Sequence, residues 1–202
     1  MNKENRNFYI SQIQTDVALI SFMTVISVFF IGALLPQFNA YDLSIRIPLS
    51  FLIISTFTFL FSTLILSNTT PEIINEKYKK AEKHISYGYI LSEYFGVYLF
   101  VLSIPLLINV ISNDLYLRII TLIAAIVGMG FYQIMGFSVI ENHFPKTYKL
   151  YSVVTLLLGI LLFVSQIYQF YFTEFSIVFL AFILLITILA SRSKNGETKN
   201  QQ

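Results

Sequence analysis

Cysteine is absent from this chain of 202 residues, which excludes a disulfide framework, a thiolate metal site and a cysteine nucleophile. Tryptophan is absent too, so an aromatic belt at a membrane surface falls to the 13 tyrosines and some of the 20 phenylalanines. Charge is scarce: Asp, Glu, Lys and Arg make up 12% of the chain, against about 25% in a soluble globular protein. A chain so poor in charge cannot wet its own surface, which excludes an ordinary soluble domain and a disordered chain. The net charge of +2 is too small to imply a nucleic-acid partner.

What is present is apolar. Hydrophobic residues make up 56% of the chain, with a mean hydropathy of +0.72. They fall into six runs, at 13–35, 47–67, 85–111, 115–140, 150–172 and 175–190. About 20 mainly apolar residues cross the hydrocarbon core as a helix, and none of these runs shows the two-residue alternation of a barrel strand. The fold class predicted is all-α, an integral membrane bundle of six transmembrane helices in one domain at 13–191. A segment at 1–12 precedes it and a tail at 192–202 follows. The first run is too long for the apolar core of a signal peptide and no small-x-small cleavage site follows it, so it is read as a retained span.

Loop charge gives the orientation. With both termini cytoplasmic, eleven basic residues stay inside: Lys3, Arg6, Lys77, Lys79, Lys80, Lys83, Lys146, Lys149, Arg192, Lys194 and Lys199. Arg46 and Arg118 alone lie outside, as the positive-inside rule requires. The longest loop, 68–84, is expected to turn helical after Pro71 and run into the third span, with Glu76–Lys80 and Lys79–Lys83 spaced four apart on one face. The membrane is expected to be the cell membrane.

Two acids interrupt the apolar runs. Asp16 lies one turn into the first run, and reads as an interfacial acid near the positive end of a helix. Glu93 lies eight residues into the third, about 12 Å along a helix, where an acid is costly and faces the bundle interior. Around it Gly88, Ser92 and Gly96 form a small-residue stripe that admits a close neighbour. The Ser112-Asn113-Asp114 turn makes a hairpin of spans three and four, which sets Glu93 opposite Gln133 and Gly96 opposite Gly130, with Gly128 beside it. Gln133 and Tyr132, with Tyr89 on span three, are the expected hydrogen-bond donors to Glu93.

Pro105 and Asn109 in the third run, with Gln166 and Gln169 in the fifth, are expected to shape an outer vestibule. The many Ser and Thr of the second run are expected to bond carbonyls of their own helix.

No H-E-x-x-H, G-x-S-x-G or Walker A pattern occurs, and His84 and His143 both fall at cytoplasmic edges. No carboxylate cluster suits a metal, so the chain is expected to be neither an enzyme nor a holder of metal or cofactor. Two functions remain. One is a small transporter or channel subunit with Glu93 in the pathway. The other is a non-catalytic subunit that assembles or stabilises a larger membrane complex through its small-residue stripes. Either requires the lipid bilayer and further copies or partner chains.

Overall fold

A computed structural model describes residues 3–40, 43–135 and 148–197. Among the described residues there is no strand. The helices are α1 (Lys3–Leu34), α2 (Arg46–Ser67), α3 (Thr69–Ile74), α4 (Tyr78–Tyr89), α5 (Val97–Ile111), α6 (Leu115–Met135), α7 (Tyr148–Tyr168) and α8 (Phe172–Glu197). A seven-residue π-helical segment, Ile90–Gly96, joins α4 to α5 without a break, so Tyr78–Ile111 is one continuous rod. Six helical stretches are long and apolar enough to cross a membrane. Inside each, the helix satisfies its own backbone groups, the condition for crossing hydrocarbon.

The rod containing the π segment is the centre of the molecule. On one side α1, α2 and α4 enclose Ile13, Leu52, Phe59, Leu66 and Ile85. On the other, α5, α7 and α8 enclose Leu102, Leu106, Phe163, Phe179 and Ile183. In its most apolar 18-residue window 61% of the central rod is buried, against 6% in α6. The fourth span therefore lies on the outside of the bundle.

Several boundaries differ from the apolar runs. α1 starts at Lys3, because the polar residues before Ile13 continue the helix that the apolar run marks only in part. The fifth span ends at Tyr168 and the sixth starts at Phe172. The turn between them is thus 169–171, not the two residues after Phe172. Gln169 and Tyr171 there adopt left-handed φ angles of 52° and 48°. The Gln169 amide donates to the Gln166 carbonyl at 3.3 Å, and the Phe170 amide to the Ser165 carbonyl at 3.0 Å. That paired closure ends a helix even without glycine. Residues 136–140 of the expected fourth span lie outside the described residues.

The basic loop also departs from expectation. Pro71 sits in the first turn of α3, where its missing N–H costs nothing. α3 ends at Ile74 and Glu76 beyond it has a left-handed φ of 59°, so the helix breaks once in the loop and resumes at Tyr78, from where it runs unbroken into the third span. Glu76 is consequently not the partner of Lys80. Lys80 Nζ lies 2.9 Å from Glu72 Oε1, and His84 Nδ1 lies 2.9 Å from Glu72 Oε2. This buried Glu72 ties α3 to α4.

Candidate functional site

The two acids expected to be separate come together. α1 continues ten residues before Ile13, so Asp16 is not in its first turn and gains nothing from the helix end. Its carboxylate Oδ2 instead accepts a hydrogen bond from the Tyr89 hydroxyl. Tyr89 is therefore a donor to Asp16, the role the sequence reading gave it toward Glu93. Glu93 lies within electrostatic reach of both Asp16 and Tyr89. Its Oε2 is fully enclosed and has no hydrogen-bond partner among the described residues. Tyr9, from α1, also lies within electrostatic reach of Tyr89. That residue was not singled out in the sequence, since a tyrosine six positions from a helix start carries no motif.

Glu93 sits in the middle of the π segment. A π turn inserts one extra residue into an α-helix and is found mostly at functional positions. It also rotates everything beyond it by about 100° relative to an unbroken helix. The hairpin register that placed Glu93 opposite Gln133 therefore does not carry across it. The π segment packs on α2 and α8. The Gln133 side chain lies outside the described residues, and Tyr132 packs at the edge of the core formed by α5, α7 and α8.

The small-residue stripe serves α2, not the fourth span. A Cβ on Gly88 would stand 2.6 Å from Leu66 Cγ, and one on Gly96 would stand 2.7 Å from Phe59 Cε1. Both distances are too short for any side chain, so α2 seats two bulky residues directly on the backbone of the central rod. Ser62 of α2 donates to the Gly88 carbonyl at 2.7 Å, and Ser92 donates to the same oxygen at 3.0 Å. Ser62 thus bridges two helices, whereas Ser50, Ser55, Thr56 and Thr58 bond their own helix as expected. A Cβ on Gly128 or Gly130 would meet nothing within 4 Å, so Gly130 is not the close partner expected for Gly96 and Gly128 is not a site of close packing. The sequence reading passed over Gly159, whose Cβ would stand 2.9 Å from Leu102.

At the other end of the central rod the expected vestibule is present as a cavity of about 440 Å³. Ser44, Asn109, Asn113, Arg118, Gln166 and Gln169 bring polar groups to its wall. Asn109 and Gln166 are buried, and Asn109 Nδ2 donates to Gln166 Oε1 at 3.1 Å. Gln166 Nε2 donates to the Leu106 carbonyl at 3.1 Å, one residue past Pro105. Among the described residues no group of three His, Asp or Glu side chains is placed to hold a metal ion. No family model, no curated protein and no solved structure matches the chain.

Proposed function

We propose that the chain is a small membrane transporter of protons or monovalent cations, with Glu93 as the group that takes up and releases the cargo. Asp16 and Tyr89 are its partners. The observation that carries the reading is the enclosed Glu93 Oε2, which has no hydrogen-bond partner among the described residues and stands close to a second acid. An acceptor buried in that way costs about 1–3 kcal/mol, a cost that a bound proton or cation removes. An enclosed carboxyl with a second, half-buried carboxyl within electrostatic reach favours a single positive charge between them over none. The π segment interrupts the regular α-helical ladder around Glu93, the kind of local irregularity that transport helices keep where they line a path. We further place both termini and the basic loop on the cytoplasmic side of a cell membrane, since loop charge sets orientation.

The test is flux into liposomes holding the purified chain, followed with a pH-sensitive dye and with ion-selective dyes for Na⁺ and K⁺. Flux is expected from the wild type, and Glu93→Gln is expected to abolish it while the protein still elutes and melts as a folded species. Absence of any Glu93-dependent flux sinks the proposal. Orientation is checked separately with a reporter fused after Gln202, expected to be active only in the cytoplasm.

One observation favours the second reading, that of an assembly subunit. α6 is the least enclosed span, and Gly128 and Gly130 face open space on it, a surface that would admit a close helix from another chain. The chain has no cysteine, so Gly128→Cys offers a clean crosslinking position. Crosslinked chains that carry no flux would favour assembly over transport.

A further inference from the structure

The cavity at the 112–114 end of the bundle lies far from the acid pair and is built differently. Among the described residues its wall contains no carboxylate. Asp114 is the nearest acid in sequence, and its Oδ1 accepts the amides of Tyr116 and Leu117 at 2.8 and 3.3 Å, capping the start of α6. The guanidinium of Arg118 therefore has no ion-pair partner among the described residues. It donates Nε to the Ser112 carbonyl at 2.6 Å and Nη2 to Asn113 Oδ1 at 3.3 Å. These two bonds hold it in place and leave three of its five N–H groups for a ligand. A guanidinium so held matches the oxygens of a phosphate or carboxylate.

The amide network adds the second half of the site. A carbonyl can only accept, so the bond from Gln166 to the Leu106 carbonyl fixes the Gln166 nitrogen there and turns its oxygen to Asn109. Asn109 must then offer its own nitrogen to that oxygen, which leaves Asn109 Oδ1 as an acceptor. This oxygen is buried, has no partner among the described residues and belongs to a cavity-lining side chain. A buried amide oxygen calls for a donor, and no described residue supplies one.

We infer that the cavity binds a small zwitterion whose anionic group lies on Arg118 and whose ammonium lies on Asn109 Oδ1. A volume of about 440 Å³ lies in the usual range for small-molecule sites and suits a phosphoethanolamine-type group. That chemistry has two sources, a free soluble molecule or a lipid headgroup. The inference stands apart from the acid pair and does not depend on transport.

The experiment is calorimetric titration of the purified chain, in detergent, with glycerophosphoethanolamine. Binding is expected, with glycerol 3-phosphate and ethanolamine, each carrying half the charge pattern, at least about tenfold weaker. Arg118→Gln and Asn109→Ala are each expected to weaken binding at least about tenfold. Arg118→Lys keeps the charge without the planar fork and is expected to fall between; it also serves if Arg118→Gln does not fold. Repeating the titration in nanodiscs separates the sources. Loss of binding in discs containing phosphatidylethanolamine, with retention in phosphatidylcholine discs, identifies the lipid headgroup, and retention in both identifies a free solute. The inference is overturned if glycerophosphoethanolamine does not bind. It is overturned equally if binding ignores both substitutions, or if glycerol 3-phosphate binds as tightly.

Discussion

The central rod carries two polar sites about 24 Å apart, at 1.5 Å per residue between Glu93 and Asn109, and they are stabilised in opposite ways. At the Asn109 end each amide is oriented by the next, from Leu106 through Gln166 to Asn109, and one acceptor is left over at the cavity. At the Glu93 end the available hydroxyl goes to Asp16, and an acid oxygen is left enclosed. An oriented amide chain gives a rigid wall whose hydrogen-bond pattern selects a ligand. An enclosed acid beside another acid gives a place where charge is gained and lost. The same helix thus holds a recognition surface at one end and a titratable group further along, each produced by where its partners run out.

The largest expected effect comes from separating the Glu93 site from its support. Gly96→Val places a Cβ where Phe59 now sits, 2.7 Å away at Cε1, and the ring also packs edge-on against Phe100. Overpacking of this kind costs typically 1–3 kcal/mol, and a helix–helix contact directly at backbone level belongs at the top of it, about 3 kcal/mol. Thermal unfolding in detergent should show the loss, while Gly128→Val, whose Cβ would meet nothing within 4 Å, should melt near the wild type. An equal effect at both positions would mean that the contact between α2 and the rod is not what holds the π segment.

At the other site the expected effect is smaller. Gln166→Leu removes two hydrogen bonds and leaves Asn109 Nδ2 buried without an acceptor. An orphaned buried donor costs about 1–3 kcal/mol, so a loss near 2 kcal/mol is expected, together with loss of ligand binding at the cavity. Gln166→Glu keeps an acceptor for Asn109 and should recover part of the stability. A fully stable Gln166→Leu protein would show that the amide chain does not orient the wall.

How legible was this arrangement in the sequence? The six helices, the depth of Glu93 and the grouping of Asn109, Gln166 and Gln169 at one end all follow from apolar runs and turn positions, which fix distance along each helix. Partners around the helix axis were not legible. The hairpin register that set Glu93 opposite Gln133 assumed an unbroken α-helix, and the π segment at Ile90–Gly96 cancels it. Gly88 and Gly96 carry the backbone close to a neighbour, but a glycine does not say which helix approaches; Leu66 and Phe59 decide that. Asp16 was misjudged for a related reason. An apolar run starts where charge stops, whereas α1 starts ten residues earlier, which brings Asp16 well inside the helix and within reach of Tyr89.

The smallest expected effect is also the one with an unusual sign. If Glu93 were structural glue, removing its carboxyl would lose a hydrogen bond worth about 0.6 kcal/mol on average in a membrane bundle. The enclosed Oε2 has no such bond among the described residues, and the half-buried Asp16 sets a second acid within electrostatic reach. Replacing an unsatisfied buried acceptor with an apolar group of like shape removes its desolvation cost. Methionine is the suitable substitute, being unbranched, of similar length and adaptable in packing. Glu93→Met is therefore expected to raise stability in detergent by about 1 kcal/mol, while abolishing flux in liposomes. Functional groups are commonly held at such a cost to stability. Thermal melting of wild type and variant side by side decides the sign. A variant destabilised by about 0.6 kcal/mol or more would make Glu93 a packing residue like Ser62, and the two ends of the rod would then differ only in degree.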